Sequence, residues 1–482
     1  MNDLGCAPLF LKRGGMMGLS NATKDKIDEI FKEWSKPDSP GMAIAVKYQG
    51  DEYKKGYGMA NLDHKIPITP QTVFHVASVG KQFTAMCIVL LSQQKDELGN
   101  PLIRLNDKVR KHISQLPGEF GSITIRQLLH HTSGIREMLA LTALAGWRWG
   151  DDMISREDLL GLVREMKTLQ FTPPGGKFAY SNTNYFLAGE IVAKVSGISL
   201  AQFAKEKIFD ELKMKNTRII DNYGETISHR AQGYRKTERG FERRMPPYNF
   251  SGPTNLLTTV EDLLLWDENF DTGRVGKKEA ISELLNKDED ANEGYGLGLV
   301  VTGPPGAPVD VFHNGVTIGH RAMLYRSYPD ELTIALLSNI ELDWRVDEKE
   351  IDELVQKVKC VVLGTPPFMA DRQPTKIPNA NGSRNLDDYV GVYRSEEIDA
   401  EYEVNLNGSG QSLKIIRHKR KSVLLAPTFQ DEFWANDFDD YLPMLKIVKV
   451  AFGRDSGIVT KFSLDSASNP KRFASFPFRK LR

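Results

Sequence analysis

The chain has 482 residues, 40% of them hydrophobic and 26% charged, with Lys+Arg and Asp+Glu both at 63 and a formal net charge of zero. That balance is ordinary for a globular protein of two or three domains with a large core, and it excludes bulk charge as the means of holding a nucleic acid or a membrane surface. Three widely spaced cysteines, Cys6, Cys87 and Cys360, make neither a disulfide framework nor a zinc site.

Residues 1–19 read as a loose tail. Their longest apolar stretch is too short for a signal-peptide core, and the basic pair Lys12-Arg13 follows it instead of preceding it. Leu4-Gly5-Cys6 lacks the apolar segment of a lipoprotein cleavage site, and Met16 or Met17 is an alternative start. A cytoplasmic location is expected, with periplasmic export or secretion left open. No run of 18 apolar residues occurs, so no membrane span is expected.

Asn21–Trp34 carries apolar residues at helical spacing (Ile27, Ile30, Phe31, Trp34), and the segment from Pro37 to Gly41 breaks it. Gly41–Tyr48 and Tyr53–Met59 read as strands of a hairpin around Gln49-Gly50-Asp51. Phe74–Gln93 is the longest strong helix, with Cys87 in its apolar run. Further helices follow Thr124 and span Tyr185–Val195, and Glu331–Ile340 is an apolar strand. Strands at both ends of this region predict one antiparallel sheet with a helical subdomain inserted between them. Residues 20–365 thus form one domain. Residues 366–384 have linker composition, rich in Pro, Asn, Gly and Ser. Residues 385–482 hold about eight short strands, beginning near Tyr389, Tyr402, Leu413, Val423, Glu432, Leu445, Ile458 and Arg472, with a turn at Arg454-Asp455-Ser456-Gly457. That pattern predicts a small closed barrel. The basic run Arg417-His418-Lys419-Arg420-Lys421 reads as a solvated strand end or turn.

Three short patterns carry chemistry. Ser78-x-x-Lys81 opens the strong helix, where residues i and i+3 share a face. A serine needs a neighbour to take its proton. A lysine can do so only when neutral, which requires desolvation or nearby positive charge, and the helix N-terminus suits an oxyanion forming beside Ser78. The spacing also occurs at Ser92-Lys95 and Ser468-Lys471, but only Ser78 has the apolar run Phe83, Met86, Cys87, Leu90 behind it. Tyr180-Ser181-Asn182 is the only Y-x-N, in a turn leading into a helix. A tyrosine near a cation can relay the serine proton, and the Asn amide can hold a substrate carbonyl or orient the lysine. Taken alone, it is equally a buried tyrosine beside a turn Asn. His313-Asn314-Gly315 is the only H-x-G and precedes the apolar strand. A glycine there lets a substrate approach a strand edge closely, although a lone His-Asn-Gly is more often a turn.

Taken together and in this order, S-x-x-K, Y-x-N and H-x-G resemble the penicillin-binding-protein and class C β-lactamase superfamily of serine hydrolases. Leu128-Leu-His-His-Thr-Ser-Gly134, Pro174-Gly-Gly-Lys-Phe-Ala-Tyr-Ser-Asn182, Thr259-Val-Glu-Asp-Leu263 and Tyr295-Gly-Leu-Gly298 extend the likeness over roughly residues 20–365. It implies an α+β fold, an antiparallel sheet with helices plus an all-α subdomain, with the active site between them. It implies Ser78 as acylated nucleophile, Lys81 as its activating partner, Tyr180 as general acid/base, and Asn182 as substrate-amide binder. His313 and Gly315 would contact substrate, and the N–H groups of Ser78 and Val316 would form the oxyanion hole.

His313 stands where many β-lactamases carry the lysine of K-T-G. A histidine is not reliably cationic at neutral pH, so recognition of a substrate carboxylate is weakened, and H-x-G is similar to members resembling D-aminopeptidases and esterases. The part beginning Asp388-Tyr-Val-Gly-Val-Tyr393 resembles a lipocalin-like barrel, to which three roles are open: capping the cleft, driving homo-oligomerisation, or binding something of its own. The expected function is hydrolysis of amides or esters of small-molecule or short-peptide substrates through an acyl-enzyme on Ser78. No metal or other cofactor, no nucleic acid and no membrane enter this reading. A β-lactamase or DD-carboxypeptidase is the alternative, and a non-catalytic binding protein of the same fold is the second.

Overall fold

A computed structural model describes residues 18–288, 294–341, 344–366, 385–410, 412–417, 422–427, 431–435, 448–456, 458–466 and 476–481. Cys6 and the Leu4-Gly5-Cys6 reading, the basic run beyond Arg417, nearly all of the 366–384 linker, and Ser468-Lys471 lie outside these residues. No single described helix is long and apolar enough to cross a membrane.

Six strands form the main sheet: β1 (Met42–Tyr48), β2 (Asp51–Tyr57), β3 (Val300–Val301), β4 (Asp310–Thr317), β5 (His320–Ser327) and β6 (Leu332–Ser338), in the antiparallel order β3-β4-β5-β6-β1-β2. The expected union of N- and C-terminal strands is made by β1 against β6, with Met42 opposite Ser338 and Tyr48 opposite Leu332. Alternation along β1 sorts its two faces. Met42, Ile44 and Val46 pack with Ile27 and Phe31 of the N-terminal segment and with Ile351, Leu354 and Val358 of the helix Trp344–Leu363. Ala43 and Ala45 face the other way, with Ala335 and Leu337 of β6, into the larger core shared with the helical region. The small alanine side chains let helices lie close on that face.

The first helix, α1 (Asn21–Ile30), is capped by the Ser20 hydroxyl accepting from the Thr23 N–H, and a short 3-10 turn carries the chain on to Trp34. The strong helix begins later than its apolar pattern predicts. Phe74–His75 is a short strand paired with Leu256–Thr258, a 3-10 turn spans Ala77–Gly80, and the α-helix α2 runs Lys81–Gln93. Hydrophobic residues on a buried strand and on a buried helix look alike over such a short run. The helix α3 (Asn182–Ser196) begins three residues before the expected Tyr185, at the Y-x-N motif itself. Cys87 is fully buried in α2, where desolvation raises its thiol pKa, so it is a core residue.

The C-terminal strands β7 (Gly391–Arg394), β8 (Glu401–Leu406), β9 (Leu413–Arg417), β10 (Val423–Pro427), β11 (Glu432–Ala435), β12 (Val448–Asp455), β13 (Ile458–Ser466) and β14 (Phe476–Lys480) form a closed antiparallel barrel. β7 closes on β14 with Tyr393 opposite Lys480. Tyr389 sits in a 3-10 turn, Leu386–Tyr389, instead of opening the first strand. Alternate residues point inward, and the rings of Tyr393, Phe462, Phe478 and Tyr402 follow one another at 4.8, 4.7 and 4.7 Å. The barrel packs on the helical region: Tyr402 Oη donates to the Leu144 carbonyl at 3.0 Å.

Candidate active site

The chain reaches Ser78 through a turn that its own side chains enforce. Ala77 has φ +48°, a left-handed conformation that costs an alanine energy. His75 offsets it. Its Nδ1 accepts the Ala77 N–H at 3.1 Å, so the ring proton lies on Nε2, 2.9 Å from Asn255 Oδ1. Asn255 Nδ2 then donates to the carbonyls of Tyr248 and Phe250. Every polar atom of this buried chain has a partner of the right kind, and burial pushes the His75 pKa down to about 4. His320, its ring 6.1 Å away and also fully buried, is pushed down to about 3 by desolvation and by His75.

One turn along, Lys81 is fully buried. Its Nζ donates to Asn182 Oδ1 at 2.8 Å and to the Pro253 carbonyl at 2.9 Å, and lies 2.8 Å from Ser78 Oγ. With two donors directed at these oxygens, a third tetrahedral position faces the serine, carrying a lone pair in the amine and a proton in the ammonium. Tyr180 Oη lies 3.0 Å from the same Oγ. Ser78, Lys81, Tyr180 and Asn182 are therefore brought together as one hydrogen-bonded group, with the serine half-buried at its open side.

Asn182 has a fixed orientation. Its Nδ2 donates to Glu137 Oε1 at 3.1 Å and its backbone N–H to Glu137 Oε2 at 2.5 Å. A flipped amide would set NH2 against the lysine and oxygen against the carboxylate. Of the two roles open to Asn182 from the sequence, orienting the lysine is the one this geometry makes. Glu137, fully buried, also accepts the Leu139 N–H at 3.0 Å.

His313 closes the far side. Its Nδ1 is 2.5 Å from the Asn314 carbonyl, so it donates there, and Nε2 is 3.0 Å from Tyr295 Oη. Both ring nitrogens of His313 are thereby hydrogen-bonded. Tyr180 and Tyr295 pack around His131, whose ring lies 4.2 Å from Tyr180 and 4.9 Å from Tyr295, and the His313 ring lies 5.8 Å from Tyr295. His131 Nδ1 accepts the Ser181 N–H at 3.1 Å, tying the Y-x-N turn to the His-His segment. Gly315, on β4, passes so close to the chain leading into Ser78 that a Cβ there would sit 2.2 Å from the Val76 carbonyl oxygen. Gly298, at φ +82°, likewise abuts the backbone of Lys81 and Gln82. Val316 follows Gly315 on the same strand, opposite Arg321.

Sequence reasoning missed Glu137, and gave no role to His75, His131 or Tyr295, although the last two lie in stretches that matched the family pattern. Position inside those stretches was the available signal. Glu137 lies three residues beyond one of them and had none.

The sequence profile of the beta-lactamase family matches residues 27–356. The chain is 28% identical over 376 residues to penicillin-binding protein 4* of Bacillus subtilis (strain 168), covering 73% of this chain and 79% of that protein. It is 28% identical over 307 residues to a D-aminopeptidase of Brucella anthropi, covering 63% of this chain and 56% of the relative, so it spans little more than half of that enzyme. Among solved structures, the octameric penicillin-binding protein homologue from Pyrococcus abyssi superposes with a TM-score of 0.60 at 23% identity, over 95% of this chain and 99% of that one. D-amino acid amidase from Ochrobactrum anthropi SV3 does so with a TM-score of 0.58 at 20% identity, over 71% and 99%. At these identities the structural likeness is one of fold.

Two outcomes follow from this geometry. Gly315→Ala should slow labelling of Ser78 by a fluorophosphonate by about a hundredfold, since displacing the strand by an ångström misplaces the reacting groups; wild-type labelling kinetics would contradict the tight approach. His75 and His320 are neutral when folded but take up protons near pH 6.5 when unfolded. The unfolded chain therefore binds more protons between pH 6.5 and about 4, and stability present above pH 6.5 is lost as pH falls through that window. Each ring contributes up to about 1.4 kcal/mol per pH unit. Urea midpoints measured at pH 7, 6 and 5 should fall; a flat series would refute the assignment.

Proposed function

The chain belongs to the beta-lactamase family and is a serine hydrolase, and within that family we propose that it cleaves amide or ester bonds of small substrates, such as D-amino-acid peptides or amides or short acyl esters. The observation that carries this reading is the pair of contacts on one oxygen: Lys81 Nζ at 2.8 Å and Tyr180 Oη at 3.0 Å from Ser78 Oγ.

In the proposed reaction Ser78 Oγ attacks the substrate carbonyl carbon as its proton passes into the Lys81/Tyr180 pair. The carbonyl oxygen becomes an oxyanion held by the N–H groups of Ser78 and Val316. The pair then delivers the proton to the leaving amine or alcohol, the C–N or C–O bond breaks, and an ester to Ser78 remains. Water, deprotonated by the same pair, attacks that ester, and the proton returns to Ser78 Oγ as the acid departs. His313 supports the choice of donor: a histidine is not a fixed cation at neutral pH as a lysine in its place would be, so it offers a substrate carboxylate a weaker partner. That weighs against β-lactams and cell-wall peptides ending in a free carboxylate. The D-aminopeptidase and D-amino acid amidase relatives favour D-amino-acid donors.

The test is intact-mass spectrometry after mixing with a fluorophosphonate, beside Ser78→Ala, and turnover of D-alanine p-nitroanilide, p-nitrophenyl butyrate and a chromogenic cephalosporin. One adduct, absent from Ser78→Ala, is expected, with the anilide or butyrate turned over and the cephalosporin not. Lys81→Ala and Tyr180→Phe should each slow acylation by about 10²–10⁴-fold. No adduct on wild-type protein would sink the acyl-enzyme reading, and preferred turnover of the cephalosporin would select the β-lactamase alternative. Homo-oligomerisation through the barrel is also proposed, on the likeness over nearly the whole chain to an octameric homologue; a monomeric mass by light scattering would reject it.

A further inference from the structure

The segment that holds Asn182 is gripped from both sides. Inward, Glu137 takes two hydrogen bonds from Asn182, and the Arg136 carbonyl accepts from the hydroxyls of Ser181 at 3.2 Å and Thr183 at 2.6 Å. Thr183 Oγ1 also accepts the Met138 N–H at 2.9 Å. Outward, the same residues meet the C-terminal barrel. The Arg136 side chain, only 4% exposed, donates to Thr168 Oγ1 at 3.0 Å through Nη2. Thr168 Oγ1 in turn donates to Glu397 Oε1 at 2.6 Å, and Glu397 Oε2 lies 3.8 Å from Arg136 Nε. Glu397 belongs to the barrel: it sits in the loop between β7 and β8, where Ser395 Oγ accepts its backbone N–H at 3.1 Å. The Arg136 guanidinium also lies 5.4 Å from the ring centre of Phe476 on β14. At the end of the short helix Met138–Leu144, Tyr402 of the barrel holds the Leu144 carbonyl.

A guanidinium taken out of water costs free energy unless a carboxylate compensates it, and here the compensating charge comes from another part of the chain. Desolvation lowers the Arg136 pKa, and the charges of Glu397 and Asp465, both in the barrel, oppose that. Neighbouring residues thus face opposite ways, Arg136 anchored to the barrel and Glu137 to Asn182. The backbone between them has little freedom to move one without the other.

We propose that the barrel is part of the catalytic apparatus: Glu397, acting through Arg136, is a positioning residue that fixes Glu137 and Asn182 and so the placement of the Lys81 amine on Ser78. The proposal rests on the acyl-enzyme reading above. It predicts that loosening this grip slows acylation at each site without emptying sites or weakening non-covalent capture of the reagent.

The experiment follows fluorophosphonate labelling of the full chain by intact mass, over time and reagent concentration, for wild type, Glu397→Gln and Thr168→Val. The expected result is one adduct on every molecule in each variant, an unchanged half-saturating concentration, and a maximal labelling rate about tenfold lower for Glu397→Gln, with a smaller loss for Thr168→Val. A Glu397→Gln protein that labels fully at the wild-type rate overturns the proposal. So does a loss expressed only as fewer labelled molecules, which is what a merely structural role would give. If Glu397→Gln does not fold, Thr168→Val is judged by the same two criteria. Normal labelling of both variants defeats this inference alone, whereas failure of the wild type to label defeats it together with the acyl-enzyme reading.

Discussion

The site depends on keeping one lysine amine out of water and aimed. A buried ammonium without partners is costly, and Lys81 is fully buried. The protein answers with oxygens: Asn182 Oδ1 and the Pro253 carbonyl take two of its directions and leave Ser78 in another. Each of these is itself held. The Gly252 carbonyl, next to Pro253, accepts from Thr84 Oγ1 at 2.7 Å, one turn along the helix that carries Lys81. Asn182 is locked by Glu137. The carboxylate and the amine share one amide between them, so the amide dipole lies along the line from positive to negative charge. That arrangement stabilises both ends in a low-dielectric setting, where unpaired charge is penalised most.

The second constraint is steric. Ser78, Lys81 and the strand β4 come close together because backbone meets backbone. Gly315 on β4 faces the Val76 carbonyl and Gly298 faces the start of α2. Neither position has room for a methyl group. Alanines on the inner face of β1 and β6 serve the same end further back. The positive φ at Ala77 lifts Ser78 into this crowded junction, and the neutral His75 keeps it there by accepting the Ala77 N–H. A second proton on His75 would replace an acceptor with a donor, so the turn and the ring's protonation state are linked.

Much of this was legible because short-range patterns are local. S-x-x-K at a helix start, Y-x-N at a helix start and H-x-G on a strand each encode local geometry, and the reading of about eight short strands anticipated the closed barrel. What was not legible depends on tertiary packing. Phe74–His75 reads as the start of a helix because it runs into the apolar segment that follows, yet it pairs with Leu256–Thr258, some 180 residues away. Glu137 carries no motif; its role exists only because Asn182, 45 residues on, returns to it. The close approach of Gly315 on β4 to the Val76 carbonyl, beside the Ala77–Gly80 turn, is likewise a contact that no local window contains.

The barrel bears on how such a chain divides its labour. A closed barrel of eight strands has an interior just wide enough for side chains or for one small ligand. Here the described interior is occupied by its own rings: Phe462 lies against Tyr393, Phe452 and Phe478, and Tyr402 stacks on Phe478 at 4.7 Å. The barrel also makes polar contacts with the helical region. On the side that meets the helical region it spends a buried carboxylate, Glu397, and a tyrosine hydroxyl, Tyr402, on the one segment that also contacts the Y-x-N turn. Apolar packing alone would suffice to join two domains. Committing buried polar groups, which hold a single geometry where hydrophobic surfaces tolerate many, fits a junction whose exact placement matters to the amine on its far side.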